Sequence, residues 1–326
     1  MKRIVSFPLL LALCLFTVIS GCESQVEYSD DEISLQAKNA VDVLPSSPAF
    51  VGMMNVQDLN DSEYGAMIEE GMSGGEMDEL NDLMEATGFN PSEDLKEVYI
   101  AMEEIGADNN PGVSMVAYAS LDANSMAEYI EERAGDELES RSYRGVDLYV
   151  IEKGNEAFGF SIANDDMILA ASKIDLLEGM VDRLIDEGDA LSSNSEWMDL
   201  LAQASTGKSA WFIAEKPDVD LSAEKQSGNS MDETARQIFT AVDHLVVAMN
   251  VDYDDVESQI FLQPNASVDA GDLADLIKGL RSAMRSSPEM DDEDLAMLDE
   301  IDISTSRGQV RIQFDVEGEM LDRIIR

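Results

Sequence analysis

Residues 140–171 read SRSYRGVDLYVIEKGNEAFGFSIANDDMILAA, four short runs of strand-forming residues divided by turn signals. The runs are Ser140 to Tyr143, Val146 to Ile151, Ala157 to Ile162 and Met167 to Ala171. The punctuation is Arg144-Gly145, Lys153-Gly154-Asn155 and Asn164-Asp165-Asp166. Gaps of two to five residues leave no room for crossover helices, so the segment reads as an antiparallel meander. Ser172 with Asp175 has the form of a capping box, and Ile174, Leu177, Val181 and Leu184 give the following helix a buried stripe.

The same grammar extends both ways. Upstream, Phe50 to Val56 is an expected strand, and Asp61 to Thr87 is Met- and Glu-rich and helical, broken at Gly71 to Gly75. Val98 to Met102 and Val113 to Ser120 are strands joined across a turn-rich Asp108 to Gly112. A helix begins at Asp122 with Met126, Tyr129, Ile130 and Arg133 on one face. Downstream, a helix carries Trp197, Leu200, Leu201 and Ala204, Ala210 to Ala214 is a strand, and Lys216 to Ser230 is a polar linker. Leu245 to Met249 and Val256 to Leu262 form a hairpin, and Leu273, Leu276, Ile277, Leu280 and Met284 mark an amphipathic helix. Ile301 to Thr305 and Gln309 to Val316 form a second hairpin around Ser306-Arg307-Gly308. There Val310, Ile312, Phe314 and Val316 face one way and Arg311, Gln313 and Asp315 the other. A helix with Met320, Leu321, Ile324 and Ile325 ends the chain. Hairpin, helix, hairpin, helix thus occurs twice, from about Val98 and from about His244, which predicts an α+β protein of two similar subdomains. Each is expected to be an antiparallel sheet with helices packed on one face.

The first 22 residues fix a compartment. Lys2 and Arg3 precede an apolar run from Ile4 to Val18, and Ile19-Ser20-Gly21-Cys22 closes it. The run is too short to span a bilayer and has the form of a signal peptide. The Ile-Ser-Gly-Cys stretch resembles the bacterial lipobox. That resemblance implies cleavage after Gly21, thioether attachment of diacylglycerol to Cys22 and fatty acylation, as by palmitate, of the new amino group. Such an anchor is durable without a transmembrane helix. Glu23 stands where an aspartate would resemble an inner-membrane retention signal, so an outer membrane is favoured in a cell that has one. The expected organisation is a signal peptide over 1–21, a flexible acidic tether over 22–43, an N-terminal subdomain over 44–216, a linker and helix over 217–241, and a C-terminal subdomain over 242–326.

Composition removes much chemistry. With Cys14 in the leader and Cys22 carrying lipid, the mature chain has no thiol and no disulfide, and His244 is its one histidine. No cofactor and no metal site is expected. The chain has 21 Lys plus Arg against 68 Asp plus Glu, a net charge of -47. Such a surface repels nucleic acid. Only nine of the 21 basic residues are lysine, and acid enrichment with lysine depletion reads as adaptation to high salt, which screens the self-repulsion. A calcium-binding surface protein is the rival reading. Apolar residues make up 44% of the chain, enough for a core.

Leu44-Pro45, Phe50 to Leu59, Tyr143-Arg144-Gly145-Val146 with Tyr149, the Asn164 to Ala171 strand, and the Ser193 to Ala204 helix with Trp211 form a further pattern. Together they resemble a group of secreted bacterial proteins, many of them lipoproteins, described only as domains of unknown function. The resemblance implies an extracytoplasmic α+β body and carries no catalytic residues.

Candidate chemistries are thin. Gly71-Met72-Ser73-Gly74-Gly75 fits the G-x-S-x-G nucleophile pattern, but that pattern needs a preceding strand and here follows an acidic helical stretch. Asp243-His244 has the form of a base with its orienting carboxylate. Asp291 to Asp294, and Asp252, Asp254, Asp255 and Glu257, are carboxylate clusters without EF-hand spacing. The 19 methionines, several of them between Met53 and Met84, offer either core filling or an adaptable surface for hydrophobic ligands. The expected function is non-enzymatic: an envelope protein held to membrane lipid through Cys22, its body either binding another envelope protein, glycan or lipid or serving a structural role. The alternative is a carboxylate-dependent hydrolase of envelope polysaccharide.

Overall fold

The computed structural model of the chain describes residues 34–62, 74–104, 111–135, 138–153, 156–164, 166–185, 188–205, 207–216, 230–252, 255–286 and 292–317. It shows the α+β class, with long antiparallel ladders and helices between them. The chain divides into two compact units. The N-terminal unit holds residues 34–216 with His244–Ala248, and the C-terminal unit holds the rest of the described residues.

The N-terminal unit begins with α1 (Leu35–Val41), β1 (Phe50–Asn55), α2 (Val56–Asn60), α3 (Gly74–Thr87), α4 (Pro91–Asp94), β2 (Leu95–Met102) and β3 (Val113–Ala119). It continues with α5 (Ala123–Ala134), β4 (Leu138–Tyr143), β5 (Val146–Lys153), β6 (Glu156–Asn164), β7 (Met167–Ala171), α6 (Ile174–Leu184), a 3-10 turn at Leu191–Ser193, α7 (Ser195–Ala204) and β8 (Ala210–Glu215). Its strands run β8-β1-β2-β3-β7-β6-β5-β4. The meander folds as its spacing predicts, and its last strand, β7, pairs antiparallel with β3.

The C-terminal unit contains α8 (Ser230–Ala241), the two ends of β9 (Val242–Asp252), whose His244–Ala248 belong to the N-terminal unit, and β10 (Asp255–Pro264), α9 (Ala270–Met284), α10 (Asp292–Glu300), β11 (Asp302–Ser306) and β12 (Gln309–Glu317). Here the order is β9-β10-β12-β11. The rule matches that of β2-β3-β7-β6-β5-β4: a leading hairpin, a helical crossover, then a trailing meander whose last strand returns beside the hairpin's second strand. The N-terminal unit has one additional hairpin. Both units also turn a hairpin on Arg-Gly. Arg144 and Gly145 have φ of 52° and 87°, and Arg307 and Gly308 have 52° and 80°, the positive values that a type I′ turn requires at both central residues.

One face of the N-terminal sheet forms the core. The registers put Val51 and Met53, Tyr99 and Ala101, Trp211 and Ile213, Val116 and Tyr118, Leu169 and Ala171 on the same side, and all are buried. Helix α6 seals the far end with Leu177, Met180 and Val181. A Cβ at Gly159 would meet Leu177 at 2.8 Å and Ile174 at 3.2 Å, so this glycine sets how closely α6 approaches β6. Charge fastens the rim, with Arg141 donating to Glu178 at 2.6 Å and Tyr143 to Asp182 at 3.1 Å.

Two expectations are corrected. The acidic segment expected to be a flexible tether through residue 43 is already structured by Ser34. Ala37, Ala40 and Val41 recur at helical spacing and bury themselves, Ser34 accepts from Ala37 N–H as N-cap, and Arg183 Nε donates to Val43 O at 2.6 Å. The Ser172/Asp175 capping box does not form, since Lys173 occupies the N-cap without a side-chain bond. Ser172 Oγ instead accepts from Val113 N–H at 2.8 Å, stitching the helix entrance to β3.

Candidate functional site: an open apolar sheet face

The opposite face of the N-terminal sheet carries Phe50 and Met54 from β1, Phe212 and Ala214 from β8, and Val98, Ile100 and Met102 from β2. It continues through Val113 and Met115 of β3, Ile168 of β7, Phe160 and Ile162 of β6, and Tyr149 and Ile151 of β5. A face this apolar normally lies under helices. Yet most of these side chains are only half-buried, and Phe158 beside them is 39% exposed. Packing on the two sides differs accordingly. Helix α6 packs on β3, β6 and β7, whereas α3 and α5 pack chiefly on each other, with Arg133 and Asp82 paired at 3.1 Å between them.

Aromatic rings organise the face. Phe50 and Phe212 stack with centroids 5.9 Å apart, and Tyr149 and Phe160 stack at 5.0 Å and 12°. Such pairs contribute roughly 0.5–1.5 kcal/mol each beyond their area. Gly52 lies beneath the first pair, where an added Cβ would meet the Phe50 ring at 3.1 Å. Met54, Met102 and Met115 supply the adaptable thioethers expected of a surface that conforms to a hydrophobic ligand. Tyr149 marks the polar end. Burial first, then the carboxylates of Asp147 and of Glu131 on α5, raise its hydroxyl pKa above the ordinary value.

The residues singled out in the sequence fall elsewhere. Cys22 and Gly21 lie outside the described residues, as do Gly71, Met72, Ser73 and the expected C-terminal helix; Gly74 and Gly75 open α3. Asp243 and His244 do not form a pair: adjacent strand residues point to opposite faces, and Asp243 is exposed while His244 is 7% exposed. His244 sits edge-on to Trp197 at 5.9 Å, with Glu196 of α7 at 3.8 Å from its Nδ1. Among the described residues, no three His, Cys, Asp or Glu side chains come together as metal ligands would. Asp252, Asp255 and Glu257 stand on strand ends, where Glu257 accepts from Gln259 at 3.3 Å. No helix among the described residues is long and apolar enough to cross a membrane.

No protein family matches the chain, and no curated protein matches it in sequence. Similarity appears in the fold. Crystal form III of TP0453 superposes with a TM-score of 0.50 at 12% identity, over 87% of this chain and 96% of that one. Crystal form IV of TP0453 gives 0.50 at 11% identity, over 87% and 95%. The likeness shows a shared fold.

Proposed function

We propose that this chain is a lipid-anchored extracytoplasmic envelope protein that acts without catalysis, holding an apolar partner against the open face of its N-terminal sheet. The half-buried Phe- and Met-lined face carries this reading. Full burial of such a side chain is worth roughly 1.5–3 kcal/mol, and each half-buried one forgoes part of it, so the surface gains by being covered. The lipobox-like Cys22 supports the anchor, and the acidic composition supports a salt-adapted surface.

The test uses the mature chain with Cys22→Ser, in molar salt, titrated with a naphthalene-sulfonate dye that fluoresces in apolar sites. Native protein is expected to take up the dye. Ile100→Glu is expected to cut uptake several-fold while the far-UV circular dichroism and the melting temperature stay within a few degrees. A native chain that excludes the dye refutes the binding face. Labelled palmitate incorporated into the full-length chain and lost in Cys22→Ser tests the anchor separately.

A further inference from the structure

We propose that the occupant of this face is an amphiphile with a hydrocarbon chain and an ammonium head group, the chain lying across the strands and the head at Tyr149. The inference rests on the reading of the face as a binding surface and names what binds there. Three observations carry it.

The first is chemical poverty. The facing positions of β1, β3, β7 and β8 hold no polar side chain, so a glycan or an extended peptide would surrender hydrogen bonds to water and recover none. A hydrocarbon chain surrenders nothing. The second is dimension. From β8 to β5 the face crosses six inter-strand spacings, about 29 Å at about 4.8 Å each. One leaflet of acyl chain occupies about 15 Å, half the roughly 30 Å hydrocarbon thickness of a bilayer, so a chain fits within the face with its head at one end. The third is charge. Asp147 shares a strand and a face with Tyr149, two residues away, and Glu131 approaches the same hydroxyl from α5. In a chain of net charge -47, two carboxylates at the polar end repel a fatty-acid carboxylate and attract an ammonium. At molar salt the Debye length is about 3 Å, so selection operates at contact range.

Displacement of the bound dye from the Cys22→Ser chain reads this out, using monomeric dodecyltrimethylammonium and dodecanoate at equal concentration. The ammonium is expected to displace the dye at least tenfold more effectively. Its affinity is expected to rise by up to roughly fourfold per added methylene. Asp147→Asn with Glu131→Gln is expected to erase the head-group preference and keep the chain-length dependence. Equal displacement by both heads overturns the ammonium, and absence of chain-length dependence overturns the hydrocarbon chain. Dye uptake that neither amphiphile displaces, or light scattering that shows a face-to-face dimer excluding them, overturns the proposal while leaving an apolar binding face. Failure of dye uptake itself refutes only the earlier reading on which this one stands.

Discussion

Tyr99 and Tyr118 pack edge to face in the core at 6.1 Å, and removing their hydroxyls is expected to change stability in opposite directions. Tyr99 donates to Glu97 Oε2 at 2.6 Å, whereas the buried Tyr118 hydroxyl has no hydrogen-bond partner among the described residues. An unpaired buried hydroxyl costs about 1–3 kcal/mol of desolvation. Tyr118→Phe removes that cost and leaves a hydroxyl-sized void worth a few tenths of a kcal/mol at about 24 cal/mol per Å³. A net stabilisation of about 1 kcal/mol follows. Tyr99→Phe deletes a hydrogen bond to a charged acceptor, worth about 1.5–3 kcal/mol, and Glu97 is half-buried and only partly rehydrated, so a loss of about 2 kcal/mol follows. The two variants should therefore lie about 3 kcal/mol apart, or roughly 6–12 °C in melting temperature at about 2–4 °C per kcal/mol. Urea unfolding followed by far-UV circular dichroism in molar salt measures both. A Tyr118→Phe chain destabilised by 1 kcal/mol, or a neutral Tyr99→Phe, would refute the assignment of which hydroxyl is satisfied.

Four other outcomes are expected. Burial first, then neighbouring carboxylates, hold both tyrosine hydroxyls well above their ordinary value near 10, so their contribution to stability is complete below pH 10. It falls by about 1.4 kcal/mol per pH unit per tyrosine as the pH climbs towards the raised folded values, and the double Phe variant should flatten this slope in unfolding measured from pH 9 to 11.5. Arg183→Met removes the donor to Val43 O and should lower amide-exchange protection over residues 37–44 while sparing β3, since that bond ties the end of α1 to α6. Gly159→Ala drives a methyl into Leu177 and should cost about 1–3 kcal/mol of unfolding free energy. Arg307→Asn suits the positive φ of the β11–β12 turn and should stabilise by a few tenths to about 1 kcal/mol, measured by thermal melting.

The meander was legible because its turns are chemically explicit: Arg144-Gly145 and Arg307-Gly308 each announce a two-residue reversal, and both hairpins close there. Helix α1 was hidden because its buried stripe is only Ala37, Ala40 and Val41 in a polar setting, and the ends that fix it are distant in sequence. The candidate site was half legible. Strands such as Phe50-Val51-Gly52-Met53-Met54 are apolar on both faces, which signals burial on two sides and conceals which side is left half-buried. Only the register, which sets Phe50, Met54, Ile100, Met102 and Met115 on one surface, separates the covered face from the open one. Abundance misled in the other direction: with 68 acids, the clusters near Asp252 and Asp291 follow from composition alone.

The position of β1 has a consequence for the order of assembly. This strand pairs on one side with β2 and on the other with β8, matching Phe50 to Met102 and to Ala214. The strands β2 to β7 close on neighbours delivered within about one hundred residues, but the second edge of β1 waits for a segment emerging long after it. Pairing across so long a stretch of sequence slows folding, and until β8 docks, the core beneath Trp211 is open and β1 presents unpaired backbone to any passing strand. A chain stalled or cleaved before residue 210 should thus be the aggregation-prone species. The arrival of β8, rather than of the meander, would then mark the moment at which the core beneath Trp211 closes.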